Sequence, residues 1–298
     1  MTIRIALVTG VSGHVGRVLA ERLQAAGVLV RALVRTSAQA DSAAGRGMEP
    51  RHGDLLEPRT LREAVTGADV VVHAAGYLGP DLVRAEAVNV AGTRHMAQAS
   101  LAAGVERFVH VSTMSVHGNP QPDGLTEDSP LDTGSDHTYV VTKARAELAL
   151  REVSTRGLTS TVLRPGAICS VSNSQWGDEL VARLRSQGWP QAWHPGDVIP
   201  WVHTDDLAEM TWLAATHPAA AGRTYIAVDR CVSIGDYIGP IVSALGGTIT
   251  PPEREPSLSR CVIGKIGREL GYRPRRTFEH TLGALVEQAS VDPAALTR

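Results

Sequence analysis

Short apolar runs rich in β-branched residues alternate with stretches of helical periodicity through the first half of the chain. Ile3–Val8 is an apolar run that Gly10 ends, the mark of a buried strand. Val15–Ala26 carries Val15, Val18, Leu19, Arg22 and Leu23 at helical spacing and closes at Gly27. Strands are expected over Val28–Val34, near Met48–His52, and over Asp69–Ala74, Arg107–Val111 and Thr159–Leu163. Helices are expected over Pro58–Val65, Leu82–Ala103 and His137–Arg156; Pro58 is tolerated in a first turn. Strands and helices in this rhythm predict an α/β fold, a doubly wound parallel sheet with helices on both faces. After Arg164 the rhythm fails and Pro and Gly become frequent. Residues 1–166 with about 201–228 are therefore expected to form a dinucleotide-binding domain. Residues about 167–200 and 229–298 are expected to form a small, irregular substrate-binding region above it.

The first strand-to-helix turn reads Thr9-Gly10-Val11-Ser12-Gly13-His14-Val15-Gly16. Gly10 permits the tight turn, Gly13 lets backbone approach a pyrophosphate, and Gly16 lets the helix pack on the strand. The amides that open the helix, from Ser12 to Val15, then offer hydrogen bonds and partial positive charge to phosphates. About 20 residues further on, a carboxylate would accept from a ribose hydroxyl, whereas an arginine would pair with a 2′-phosphate. Arg35 stands 19 residues past Gly16, and no Asp or Glu occurs between Glu21 and Asp41. NADP(H) is favoured, with NAD(H) the alternative.

Tyr139 and Lys143 share one helical face at i and i+4. A nearby ammonium favours tyrosinate, which would make Tyr139 a usable proton donor to a ketone. Ser112, Thr113 and Ser115 follow the strand Arg107–Val111, where a hydroxyl can donate to the same oxygen.

With these motifs in place, the chain resembles the extended branch of the short-chain dehydrogenase/reductase family. That branch includes nucleotide-sugar epimerases and dehydratases, 3β-hydroxysteroid dehydrogenases and dihydroflavonol 4-reductases. The likeness rests on the glycine turn, Tyr139/Lys143, Gly53-Asp54-Leu55, His73-Ala74-Ala75-Gly76, Asn89-Val90-Ala91-Gly92-Thr93, Leu163-Arg164-Pro165-Gly166 and Val202-His203-Thr204-Asp205-Asp206-Leu207-Ala208. It implies that Tyr139 is the catalytic acid/base, that Lys143 holds the nicotinamide ribose and tunes Tyr139, and that Thr113 is the catalytic hydroxyl. It also implies that Asp54 and Leu55 meet the adenine, that Ala74, Ala75 and Gly76 line the cofactor, and that Pro165 and Gly166 lie by the nicotinamide. Two positions depart from the pattern: His117 stands for a usual tyrosine and His14 for a common aromatic. His117 is expected to shape the substrate pocket. The run Val30–Arg35 most resembles the dihydroflavonol-reductase group, which implies NADPH.

All five tryptophans fall between positions 176 and 212, and Trp176 and Trp193 lie in the region expected to cover the cofactor. Indole suits a flat apolar partner, so both are candidate substrate contacts; packing of a small lobe is the alternative. The 298 residues carry a net charge of −2, which supplies no field for nucleic acid or an anionic membrane. No apolar run approaches the roughly 18 residues of a transmembrane span. Eleven histidines form no metal-ligand spacing, so no metal is expected. Cys169, Cys231 and Cys261 lie far apart in sequence and form no Cys-x-x-Cys pair, so a reduced, cytoplasmic setting is expected. The leading expectation is an NADPH-dependent oxidoreductase, a ketone or aldehyde reductase or alcohol dehydrogenase acting on a small to medium apolar or aromatic carbonyl compound. A nucleotide-sugar epimerase/dehydratase and a non-catalytic NADP-binding sensor or scaffold are the alternatives. The partner is a small molecule, and the resemblance allows a homodimer.

Overall fold

The computed structural model describes residues 2–291. Met1 and residues 292–298, the end of the segment expected over 229–298, lie outside the described residues. Ten strands are β1 (Ile5–Thr9), β2 (Leu29–Val34), β3 (Glu49–His52), β4 (Val70–His73), β5 (Arg107–Val111), β6 (Ser160–Pro165), β7 (Ala167–Cys169), β8 (Val198–His203), β9 (Thr224–Ala227) and β10 (Arg230–Ser233). The helices are α1 (His14–Ala25), α2 (Ser37–Ala44), α3 (Pro58–Val65), α4 (Leu82–Ala85), α5 (Gly92–Ala102), α6 (Thr138–Ser154), α7 (Asp178–Gln187), α8 (Thr204–Thr216), α9 (Ile234–Ala244), α10 (Lys265–Leu270) and α11 (Phe278–Ser290).

Seven strands form one parallel sheet in the order β3-β2-β1-β4-β5-β6-β9. The order reverses beside β1, between β1 and β4, and this is where an open α/β sheet forms its ligand crevice. Alternate strand residues feed two cores. Val8, Val30, Val72 and Val109 face α1 and α8, whereas Leu7, Val71 and Phe108 face α3, α5 and α6. The doubly wound sheet predicted from the strand–helix rhythm is therefore present. The seventh strand, β9, was not among the expected strands.

The region after Arg164 is more ordered than its Pro and Gly content predicts. A second sheet of order β10-β8-β7 packs with α7, α9 and α11 around Trp201, Tyr237, Ile238 and Leu285. Trp201–His203, the start of the segment Trp201–Thr216 expected to return to the main domain, is the end of β8 in this small sheet. The helix α8 that follows does pack on α1 against the large sheet. The buried Asp206 carboxylate accepts from the amides of Arg275 and Arg276 at 2.8 and 2.9 Å, tethering the approach to α11. The expected long helix over 82–103 is present with an irregularity: residues Glu86–Ala91 form a π-helical turn between α4 and α5.

Candidate active site

The turn after β1 is built as its glycines require. Gly10 has φ of +80°, and a Cβ there would stand 2.8 Å from the Ala75 amide nitrogen. At Gly16 a Cβ would lie 2.3 Å from the Gly10 carbonyl oxygen, so only glycine lets α1 seat on the turn. Gly13 differs: a Cβ there would meet only the Gly10 oxygen, at 3.4 Å. Ser12 and Gly13 are exposed, and Gly13 as N-cap brings no side chain to the first-turn amides of His14, Val15 and Gly16. An open glycine and uncapped amides suit the diphosphate of a dinucleotide. The His14 ring turns away from that position. Its Nε2 lies 3.0 Å from Ser170 Oγ and 3.2 Å from Thr204 Oγ1, so the side chain joins the turn to the small lobe.

Thr9 organises the opposite wall. Its hydroxyl accepts from the amides of Ala74 and Ala75, at 3.2 and 3.0 Å, and meets His73 Nδ1 at 2.9 Å. His73 Nε2 meets Thr93 Oγ1 at 3.1 Å. Burial and the Lys143 charge hold His73 down to about 3, so it is a neutral strut. Asn89, on the π turn, accepts from the Tyr77 amide and donates to the Tyr77 carbonyl and to Thr142 Oγ1. Gly76 lies exposed beside it. No role was expected for Asn89, although the motif around it was visible.

At the end of β2, Arg35 is exposed, with its backbone amide held by Gln39 Oε1 at 2.8 Å. Arg31 instead pairs with Glu49 at 3.2 Å and with the Thr66 carbonyl. Asp54 accepts from the Leu56 amide, and Leu55 is buried against Gly92.

Three candidate catalytic side chains converge at the end of β5. Burial pushes the Tyr139 phenol up, and the neighbouring Thr113 hydroxyl draws it back. Thr113 Oγ1 also accepts from the Ser115 amide at 3.1 Å, which fixes its rotamer. Lys143, only 5% exposed, donates to the Val111 carbonyl at 2.9 Å. Burial lowers its ammonium to about 8, opposed by the Glu147 carboxylate. Ser112 faces away and donates to Glu147 Oε1 at 2.5 Å. Gly166 packs against Pro200, where a Cβ would stand 2.3 Å from the Pro200 carbonyl oxygen. Pro165 ends β6 beside it.

Behind these residues lies a buried network that the sequence reading missed. Arg164 donates through Nε and Nη2 to the two Glu147 oxygens, at 3.0 and 2.7 Å. Its Nη1 reaches the Glu127 carbonyl at 2.8 Å and His117 Nε2 at 3.2 Å. The i, i+4 spacing of Lys143 and Glu147 was the available signal.

Three residues expected to contact substrate, His117, Trp176 and Trp193, are placed as follows. His117 is 4% exposed, and both ring nitrogens are engaged, Nδ1 with the Pro130 carbonyl and Nε2 with Arg164. It also lines a cleft of about 300 Å³ with Pro122, Leu125, Ser129 and Asp132. Trp176 and Trp193 stack on each other at 5.8 Å, Trp189 meets Trp193 edge-on, and all three pack on the small lobe's core. Their rings are engaged mainly with one another. A cleft of about 550 Å³ lies between Glu127–Leu131, Arg151 and Arg223, and none of Thr113, Tyr139 or Lys143 lines it.

Among the described residues no helix is long and apolar enough to cross a membrane. The chain is 28% identical to the 4-hydroxy-2-methyl-3-oxo-4-farnesyl-3,4-dihydroquinoline-1-oxide ketoreductase of Stigmatella aurantiaca, covering 97% of this chain and 98% of that one. It is 33% identical to sterol demethylase protein B of Methylococcus capsulatus, over 78% of this chain and 72% of that one. A crystal structure of a short-chain dehydrogenase/reductase superfamily protein from Agrobacterium tumefaciens with bound NAD superimposes with a TM-score of 0.79 at 26% identity, covering 99% and 100% of the two chains. Residues 6–227 match the model of the NAD dependent epimerase/dehydratase family. With its seven-stranded sheet and glycine turn, the chain belongs to that family, within the extended short-chain dehydrogenase/reductases, and is an NAD(P)-dependent oxidoreductase.

Proposed function

We propose that the chain is an NADPH-dependent reductase of a small to medium apolar carbonyl compound, working in reverse as an alcohol dehydrogenase. The observation that carries this reading is that Lys143, one turn of α6 beyond Tyr139, donates to the Val111 carbonyl at the end of β5, two residues before Thr113. A bound nicotinamide cofactor supplies the hydride. Tyr139 then donates its proton to the carbonyl oxygen, and the Thr113 hydroxyl donates to the same oxygen as charge develops on it. Lys143 replaces the proton's charge nearby and orients the ribose. Gly10, Ser12, Gly13, His14, Val15 and Gly16 hold the diphosphate through backbone, with Asp54, Leu55, Ala74, Ala75, Gly76, Pro165 and Gly166 along the rest of the cofactor. The exposed Arg35 guanidinium, with no carboxylate beside it on β2, supports the 2′-phosphate and hence NADPH over NADH. Residues about 167–200 and 229–298 close the substrate side.

The substrate class draws on the two relatives, whose names refer to a farnesylated quinoline oxide and to sterols. The test is NADPH oxidation against a panel of apolar ketones and aldehydes beside nucleotide sugars. Turnover confined to nucleotide sugars, with NAD retained through purification, would replace this reading with an epimerase or dehydratase, which the family's own description favours. No turnover with any carbonyl, together with tight NADPH binding, would favour the sensor.

A further inference from the structure

Cys231 and Cys261 are 30 residues apart in sequence, yet the fold brings their sulfurs to 3.6 Å. Cys231 stands on β10, an edge strand of the small sheet. Cys261 lies on an extended stretch beside Leu125: the Leu125 amide donates to the Arg260 carbonyl at 3.1 Å, and the Val262 amide donates to the Leu125 carbonyl at 2.7 Å. Both cysteines are partly exposed. The Cys261 amide also points at Cys231 Sγ, at 3.5 Å. Such a donor favours negative charge on that sulfur. The contact with Cys261 lowers the Cys231 thiol to about 6, while Cys261 is raised by the same contact and by burial. The pair is thus asymmetric, one sulfur poised to attack and the other holding its proton. The third cysteine is different in kind. Cys169 is buried, bonded to the Tyr237 hydroxyl at 2.9 Å, and pushed up to about 11 by burial.

We propose that Cys231 and Cys261 form a dithiol site that a hydroperoxide converts into an intramolecular disulfide. The Cys231 thiolate attacks the peroxide, forming an S–O bond and breaking the O–O bond; the departing oxygen takes up a proton and leaves as water or an alcohol. The Cys261 thiol then attacks the sulfenic sulfur, the S–S bond forms, and hydroxide leaves with the Cys261 proton as a second water. Two thiols lose two electrons, and the peroxide gains them. The bond would tie the edge of the small sheet to the stretch that pairs with Leu125. Cys261 already packs with Met114, Leu125, Ile226 and Val228, and Met114 adjoins Thr113. The crosslink therefore fastens the small lobe to the wall behind the candidate catalytic hydroxyl.

The experiment exposes the folded, full-length chain to a modest excess of hydrogen peroxide, then counts thiols after denaturation and weighs the protein. The expected result is a fall from three free thiols to one, a mass lower by two hydrogen atoms, no covalent dimer, and reversal by dithiothreitol. Amide exchange at Leu125 and Val262 should slow in the oxidised form. Cys231→Ser and Cys261→Ser should each abolish the paired loss, and Cys169→Ser should keep it. Sulfinic acid without a paired loss, a bridge to Cys169, or a disulfide dimer would overturn the proposal. Should the serine variants fail to fold, capture of one phenylarsine oxide per wild-type chain, blocked by prior peroxide, reads the same pair. Absence of that capture would also overturn it.

Discussion

Glu147 lies one helical turn beyond Lys143 and receives Arg164 at two points, with neither side chain more than 3% exposed. The pair ties α6 to β6, and through Ser112 to β5, directly beneath Lys143 and Thr113. Removing one partner strands a buried charge, which costs about 3–5 kcal/mol. Arg164→Met should lower the denaturant midpoint accordingly with little change in slope, and Arg164→Met with Glu147→Met should recover much of the loss. A double variant as unstable as the sum of the singles would show that the two side chains are not coupled.

Tyr139→Phe should cut turnover by at least about a hundredfold, because general acid catalysis contributes about 10²–10⁴-fold. Cofactor affinity and thermal stability should hardly move. Thr113→Ala should damage turnover more than Ser115→Ala, since the Thr113 hydroxyl is the one assigned to the carbonyl oxygen. Thr113→Ser should be mild. Steady-state kinetics on the four purified variants checks the order, and a more harmful Ser115→Ala would assign the hydroxyl role to the wrong residue.

Arg35→Asp should weaken NADPH and spare NADH. A charge-assisted hydrogen bond contributes roughly 1.5–3 kcal/mol, which is about tenfold to 150-fold in affinity. The ratio of the two dissociation constants, measured by calorimetry in wild type and variant, is the readout. A wild type that already prefers NADH refutes the assignment of Arg35.

The two glycines of the turn should separate cofactor binding from folding. Gly13→Ala adds a methyl group where only the Gly10 oxygen is near, at 3.4 Å, so the fold should survive while NADPH affinity drops. Gly16→Ala drives a methyl group to 2.3 Å from the same backbone oxygen, so thermal stability and affinity should fall together. Equal melting temperatures for the two variants would contradict this geometry.

Lys143 makes a pH signature in the cofactor-free protein. Its folded pKa, lowered to about 8 by burial, lies below the roughly 10.4 of an unfolded lysine. Between those values the unfolded chain binds more protons than the native one, so stability from this group rises with pH across the window. Below pH 8 both states are protonated and the burial penalty is fully present. Lys143→Met should remove this rise, which is worth roughly 3 kcal/mol, and a wild type with the same pH slope as the variant would argue against a depressed lysine.

The large sheet was legible because β1, β2, β4, β5 and β6 carry enough apolar or β-branched residues to stand out between helices, whereas β3 reads Glu49-Pro50-Arg51-His52. The seventh, Thr224–Ala227, is four residues long and follows Gly222, so it reads as loop. The small sheet draws three short strands from distant positions, and no local pattern encodes such pairing. Gly235, Gly239 and Pro240 interrupt α9 in sequence, yet buried Ile238 and Ile241 hold it as a helix. At the site, Gly10, Gly13, Gly16, Tyr139 and Lys143 follow spacing rules and were readable. The partners of His117 were not readable, because a histidine's role depends on what faces its two nitrogens, here Pro130 and Arg164, which only the fold brings near. The proximity of Cys231 and Cys261 has the same origin.

The π turn at Glu86–Ala91 gives the helix between β4 and β5 one residue more than a continuous α-helix would need. Each residue of an α-helix advances about 100° around its axis, so the two halves, α4 and α5, run out of phase by about that angle. The inward aim of Asn89, which grips Tyr77 on one side and Thr142 on the other, depends on this offset. Deleting a single residue from 86–91 would bring the halves into phase and swing α4 around its axis while leaving α5 in place. The loop carrying Tyr77 would then lose its hold on α6, so this segment behaves like a reading frame in which length matters as much as composition.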